Sequence, residues 1–319
     1  MIKSGSVPIF VNLKRFDVPK SRGGLCPTED PVQWIEEIIA ESATRGLGRR
    51  DGLLLVYVVP ESLLISARQA LERHPPQDRT GIQVACQSVY RQDCSPGGNF
   101  GAFTANLPAS AAAAAGASWA MIGHSEERRD KLGIIAAFEP ATTSNPAAMA
   151  RAAETVDTLI GDEVSHAMAA GLDVLLCVGE TLEQRGEGTF SQQQPRIEAA
   201  LRSQLQYGLG SIRDFPEQTV VIGYEPVWAI GPGKTPPDPP YVAYVAQTIK
   251  SITREYTGVA LPVVYGGGLK RENATGLGGV PELDGGLVAL TRFTQPLAFD
   301  PGELDVIVQR FVEAREGSQ

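Results

Sequence analysis

Cysteine and histidine are scarce in this chain, and neither is grouped. The four cysteines, Cys26, Cys86, Cys94 and Cys177, share no CxxC spacing, and Cys86 and Cys177 lie inside apolar runs that read as strands. That pattern fits a reduced, intracellular protein better than a disulfide framework. His74, His124 and His166 stand far apart, without the His/Cys clustering of a metal site, so no metal or cofactor is expected. Basic charge is also in deficit: 28 Lys and Arg against 37 Asp and Glu leave a formal charge of −9. A nucleic-acid partner is therefore not expected. An anionic metabolite remains compatible, because it responds to local potential and not to net charge. No apolar run reaches membrane length, and Met1–Val7 is too short and polar for a signal peptide. No membrane partner is expected, and the default location is the cytoplasm.

What is present is an ordinary globular composition, 43% hydrophobic and 20% charged over 319 residues. That length builds one large α/β domain or two small ones. The most informative stretch is Thr219–Thr235, TVVIGYEPVWAIGPGKT. Its apolar start reads as a buried strand, and Tyr224-Glu225-Pro226 places a carboxylate where that strand becomes a loop. The apolar loop that follows is bounded by Pro226 and by Gly231-Pro232-Gly233-Lys234, as a lid with a bend at each end would be.

Further apolar strands are read at Pro8–Lys14, Leu53–Val59, Ile82–Tyr90, Trp119–Gly123, Asp173–Val178, Leu261–Gly268 and Gly286–Leu290. Helical patterns separate most of them, the first opening at Asp30-Pro31 with an N-cap followed by proline. Eight continuous apolar strands alternating with helices predict an α/β fold with a parallel sheet closed into a (β/α)₈ barrel. The doubly wound alternative wants a Gly-rich turn after the first strand, and Asn12-Leu13-Lys14-Arg15 is not one. The segment Arg129–Pro146, rich in Ala, Pro, Thr and Ser without a clear period, reads as an insertion near 129–147 on a loop or helix start. Residues 1–319 are thus expected to form a single barrel domain.

In such a barrel the C-terminal strand ends converge on one mouth. Asn12, Lys14, His124, Glu126, Glu180, Glu225 and the Gly266–Gly268 turn all fall there. One imidazole, several carboxylates, one lysine and a Gly-rich turn suit proton transfer beside an anionic substrate. Plainer readings exist for each residue taken alone: a lone histidine is more often structural, Glu180 suits barrel ion pairing, and Cys177 is a small buried hydrophobe. It is the convergence that favours catalysis. His74 and His166 receive no role.

Asn12-x-Lys14, GHSEERR from Gly123, CVGETLEQR from Cys177, GYEPVWAIGPGK from Gly223 and YGGG from Tyr265 together resemble the triosephosphate isomerase family, in order and across nearly the whole chain. The resemblance implies a homodimeric aldose–ketose isomerase of a small sugar phosphate. Glu225 would move a proton between adjacent carbons, and His124 would be the neutral electrophile that polarises the carbonyl. The family is a standard illustration of that pairing of carboxylate base and neutral imidazole. Lys14 would stabilise the anionic substrate and enediolate, Asn12 would position it, and Glu126 would pair with Lys14. Gly231 in the lid and Gly267 and Gly268 after the seventh strand would contact the substrate, and the loop Pro226–Thr235 would exclude water.

Departures from the family cluster at the phosphate end. Gly268 stands where serine is usual, and no Gly-Gly pair follows the eighth strand: the chain runs Leu287-Val288-Ala289-Leu290-Thr291-Arg292. Gly285-Gly286 precede that apolar run. Arg292 either offers a guanidinium to the anion or is a surface residue. Pro232 replaces the usual threonine of the lid, and Ala105-Asn106 replace the Gly-Glu of a loop that usually enters a neighbouring subunit. Triose phosphates are the default substrate. A larger ketose phosphate, such as a four-carbon erythrulose phosphate, is the first alternative. A barrel that binds a metabolite or partner without catalysis is the second.

Overall fold

A computed structural model describes residues 5–230, 234–293 and 296–317. The eight expected strands are present as β1 (Val7–Asn12), β2 (Leu53–Val59), β3 (Ile82–Cys86), β4 (Trp119–Ile122), β5 (Asp173–Val178), β6 (Val220–Tyr224), β7 (Val263–Tyr265) and β8 (Gly285–Val288). They pair in parallel in chain order, and β8 returns to β1, closing a (β/α)₈ barrel. Several end earlier than the apolar runs suggest. The backbone beyond Cys86 and Val288 turns into the mouth loops and leaves the ladder.

Helices cover the outside. Three, α1 (Pro31–Thr44), α2 (Leu64–Glu72) and α3 (Pro76–Arg79), flank β2, and α4 (Ala109–Ala115) precedes β4. After β4 come α5 (Ser125–Phe138) and α6 (Pro146–Ala169); after β5 come α7 (Leu182–Arg185) and α8 (Phe190–Gly208). The last three, α9 (Pro239–Thr257), α10 (Ala274–Gly278) and α11 (Pro301–Glu316), follow β6, β7 and β8. The Asp30 cap is formed as expected, its carboxylate accepting from the N–H groups of Val32 and Gln33. Among the described residues no helix is long and apolar enough to cross a membrane.

The stretch after Arg129 differs from its reading as an aperiodic segment. It is helical to Phe138, then forms a 3₁₀ turn over Pro140–Thr143 before Asn145 caps α6. No residue of α5 is buried, and Ile134 and Phe138 are 66% and 91% exposed. A helix that gives no stripe to the core carries no apolar period, so its pattern is invisible in sequence.

Strand alternation divides the core into two regions. Phe10, Val56, Val58, Trp119, Met121, Leu175, Cys177, Val221, Val264 and Leu287 fill the barrel interior. Their strand neighbours, such as Ile9, Leu55, Tyr57, Ile122, Leu176 and Ile222, pack outward beneath the helices. Inside, Phe10 and Trp119 meet edge to face with centroids 5.2 Å apart. Phe10→Ala should lower unfolding free energy by about 3–5 kcal/mol, read from urea denaturation, because the closed interior cannot collapse around the void.

Candidate active site

Continuing the inward alternation past the strand ends brings Asn12 after Phe10 and Glu225 after Val221 and Gly223 into the barrel mouth. His124 is out of phase, following the outward-facing Ala120 and Ile122. Gly123 corrects this. It adopts φ +79°, and a Cβ there would lie 2.9 Å from both Arg128 Nη2 and the Cys177 carbonyl oxygen. A left-handed, side-chain-free pivot thus turns the imidazole into the mouth.

The imidazole and the carboxylate meet. His124 Nε2 lies 3.2 Å from Glu225 Oε1, and Glu225 Oε2 accepts from the Ser125 N–H at 3.0 Å. Ser125 opens α5, so the carboxylate occupies the positive end of that helix, where N–H groups lack intrahelical partners. His124 is the N-cap of the same helix: its Nδ1 accepts from the Glu126 N–H at 3.2 Å. An Nδ1 that accepts from a backbone amide carries no proton, which assigns the neutral tautomer with Nε2–H as donor. Glu225 is 3% exposed, so its charge is held in a largely dry setting.

Lys14 sits across the mouth with φ +43°, a conformation that costs a non-glycine residue about 1–3 kcal/mol. The strain is held from two sides. Asn12 Oδ1 accepts the Lys14 N–H at 2.9 Å, and Gln87 Nε2 donates to the Lys14 carbonyl at 2.7 Å. Gln87 was hidden in the sequence inside the apolar run of the third strand, although it directly follows the last residue of β3.

Asn12, Lys14, His124 and Glu126 line one groove of 1330 Å³. Glu126 is exposed on the first turn of α5, and no ion pair joins it to Lys14. Gly267 is buried and Gly268 half-buried at φ +91° in the turn after β7. Arg292 is exposed, its backbone paired with that of Ala298, and is not among the residues lining the groove. Gly231, with Pro232 and Gly233 of the lid, lies outside the described residues. The mouth is braced by Arg128, which reaches the Gly123 carbonyl, the Cys177 carbonyl and buried Asp157. A smaller hollow of 470 Å³ opens at the N-terminal strand ends beside Leu53, Gln83, Trp119 and Asp173. Barrels of this class keep stability, not chemistry, at that end.

Glu180 belongs elsewhere. It continues the outward phase of β5 and is fully buried, and its Oε1 accepts from Trp228 Nε1 at 2.7 Å, Tyr241 Oη at 2.8 Å and Tyr224 Oη at 3.0 Å. It takes part in none of the ion pairs of the described residues; instead it anchors the root of the Pro226–Thr235 loop through Trp228. The Arg185 guanidinium lies 3.9 Å over the Trp228 ring and secures the other side. Burial raises the Glu180 pKa, outweighing the hydrogen bonds from Trp228, Tyr241 and Tyr224. A raised native value gives stability that is full below the ordinary glutamate value and is lost as pH rises through the native one. Glu180→Gln should flatten that decline, which urea midpoints measured across pH will show.

The structure can be compared with known proteins on this basis. The family model described as Triosephosphate isomerase matches residues 35–294. The triosephosphate isomerase of Chloroherpeton thalassium is 31% identical over 214 residues, 66% of this chain and 71% of that one. That of Trichlorobacter lovleyi is 35% identical over 214 residues, with coverage of 66% and 71%. The crystal structure of triosephosphate isomerase from Bartonella henselae superposes with a TM-score of 0.58 at 23% identity, covering 89% of this chain and 92% of that one, a likeness of fold. Family motifs, barrel and mouth thus agree, and the chain belongs to the triosephosphate isomerase family, as a sugar-phosphate isomerase built on a (β/α)₈ barrel.

Proposed function

We propose that the protein interconverts glyceraldehyde 3-phosphate and dihydroxyacetone phosphate through an enediolate. The observation that carries this reading is the Glu225–His124 contact, a buried carboxylate against a neutral imidazole that presents Nε2–H. Substrate entering the groove replaces that contact. Glu225 then takes the proton from the carbon next to the carbonyl, and the electron pair moves onto the carbonyl oxygen. His124 Nε2–H and the Lys14 ammonium stabilise the oxyanion, and Asn12 orients the substrate. His124 Nε2–H passes its proton to the oxyanion and takes back the proton of the neighbouring hydroxyl, so that when Glu225 returns its proton to the adjacent carbon the second oxygen is left as the new carbonyl. Glu126 tunes the field at Lys14 across the groove. The Pro226–Thr235 loop serves as a lid over the site, and a drier site strengthens each of these interactions.

Gly267 and Gly268, with Arg292 folding inward from its exposed position, take the phosphate. We read the working unit as a cytoplasmic homodimer serving the triose-phosphate step of glycolysis and gluconeogenesis. Support for the dimer is Phe100, 92% exposed on the Gly-rich loop before Thr104.

A specific observation favours a second substrate. After β8 the backbone carries Ala289 and Leu290, both half-buried, followed by an antiparallel bridge between Arg292 and Ala298. Side chains there hinder close approach of backbone to phosphate, as a longer ketose phosphate held differently would tolerate.

The test is isomerisation of glyceraldehyde 3-phosphate by purified protein. Glu225→Gln should lower kcat by about 10²–10⁴-fold without unfolding the protein. Turnover of erythrulose phosphate and none of triose phosphates would establish the second substrate. Undiminished activity in Glu225→Gln would overturn Glu225 as the base, and turnover of neither substrate by the folded wild type would leave a binding barrel. Sedimentation velocity on the same samples should give twice the chain mass.

A further inference from the structure

A second group of charged side chains lies just behind the imidazole. Glu127 Oε2 accepts the Gly123 N–H at 2.8 Å, while its Oε1 lies 2.6 Å from Lys131 Nζ. Lys131 Nζ is in turn 3.0 Å from Glu163 Oε1 on α6. The three side chains are 17%, 16% and 4% exposed, and all border the groove that His124 lines.

We propose that Glu127, held by Lys131 and Glu163, is a positioning residue for His124. This rests on the reading of His124 as the electrophile. Gly123 is the pivot that brings the imidazole into the mouth, so the orientation of its two peptide groups sets the direction of Nε2–H. Arg128 Nε fixes the Gly123 carbonyl at 2.8 Å, and Glu127 fixes its N–H. The two anchors come from consecutive residues of α5 but are braced by different partners on α6, Asp157 for Arg128 and Glu163 through Lys131 for Glu127. The two peptide groups that flank Gly123 are thereby each held, with both anchors braced from one neighbouring helix.

The composition of the group supports positioning over mere ion pairing. One ammonium needs one carboxylate, and a second one buried beside it is costly unless it is neutral or placed for a purpose. Glu163 Oε2 is buried without a hydrogen-bond partner, a setting that penalises a full charge on this carboxyl. Burial first, and Glu127 second, push Glu163 up to about 9, against the pull of Lys131. Burial also opposes the Glu127 charge, but Glu163, Lys131 and the Gly123 N–H outweigh it and hold Glu127 below the ordinary glutamate value. Glu127 therefore stays an anionic acceptor for the Gly123 N–H while Glu163 stays protonated. Other charges near the group are engaged elsewhere or lie on its rim. Arg128 binds Asp157, Tyr207 of α8 binds Glu154, His166 bonds the Asp162 carbonyl, and Arg129 and Asp130 border the groove. Helix α4 contributes only Ala and Ser. Above pH of about 9 Glu163 ionises and competes with Glu127 for Lys131.

The experiment combines kinetics with ¹⁵N NMR of the imidazole. Glu127→Ala should lower kcat about tenfold with KM changed less than twofold, and Glu127→Gln, which can still accept from Gly123, should recover part of the loss. In the wild type the His124 resonances should report an unprotonated Nδ1 and a protonated Nε2, and in Glu127→Ala they should move toward tautomeric averaging. Glu163→Gln should displace the alkaline midpoint of kcat upward from about pH 9. Wild-type kcat and unchanged nitrogen shifts in Glu127→Ala would overturn the proposal, as would an alkaline limb identical in Glu163→Gln. If Glu127→Ala loses its cooperative melt, Lys131→Met replaces it with the same readouts. A wild-type protein that turns over no sugar phosphate would remove the catalytic reading of His124, while the nitrogen shifts still decide whether Glu127 holds the ring.

Discussion

The ladder between β1 and β8 is the constraint on which the rest of the molecule depends. A parallel sheet left open would expose two edges, and here Ile9, Phe10 and Val11 pair with Gly286, Leu287 and Val288 to remove both. Closure demands close backbone approach: a Cβ on Gly285 would lie 1.9 Å from the Pro8 carbonyl oxygen. Once the ring is closed, alternate residues have only two destinations, the barrel interior or the space beneath the helices. The inward set, extended past the strand ends, delivers Asn12 and Glu225 to one mouth.

That mouth is arranged by backbone amides as much as by side chains. The first turn of α5 supplies one N–H to Glu225 and another to His124 Nδ1, so a single helix terminus anchors the carboxylate and selects the imidazole tautomer. In a buried setting each of these bonds is stronger than in water, and each orphaned partner costs more. The strained Lys14 backbone obeys the same logic, its amide and carbonyl held by Asn12 and Gln87. Buried thiols take no part: burial pushes Cys86 up to about 12 and Cys177 well above its usual value, leaving both as packing groups.

Much of this was legible in the sequence. Apolar strands at steady spacing announce the barrel because each is buried on both faces, and the strand ends name Asn12, Lys14, His124 and Glu225. Less legible was α5, whose lack of any buried stripe erased its period. Glu180 was visible at a strand end but not its direction; outward phase sends it to the lid root. Gln87 was concealed because its strand stops at Cys86, four residues before the end of the run read as Ile82–Tyr90. Arg292 was visible as a cation near the eighth strand, yet where its backbone pairs with Ala298 it is left exposed.

By itself the sequence determined the class of fold, the order of its elements and the residue types available at the mouth, since these follow from local apolar pattern and from motifs of adjacent residues. Only the tertiary structure decided which of those residues meet. Glu225 lies 100 positions from Ser125, and Glu163 lies two helices' worth of chain from the Gly123 peptide it helps to brace. Such contacts depend on barrel closure, strand phase and one left-handed glycine, and those are set by packing over the whole ring and not by any local run of residues.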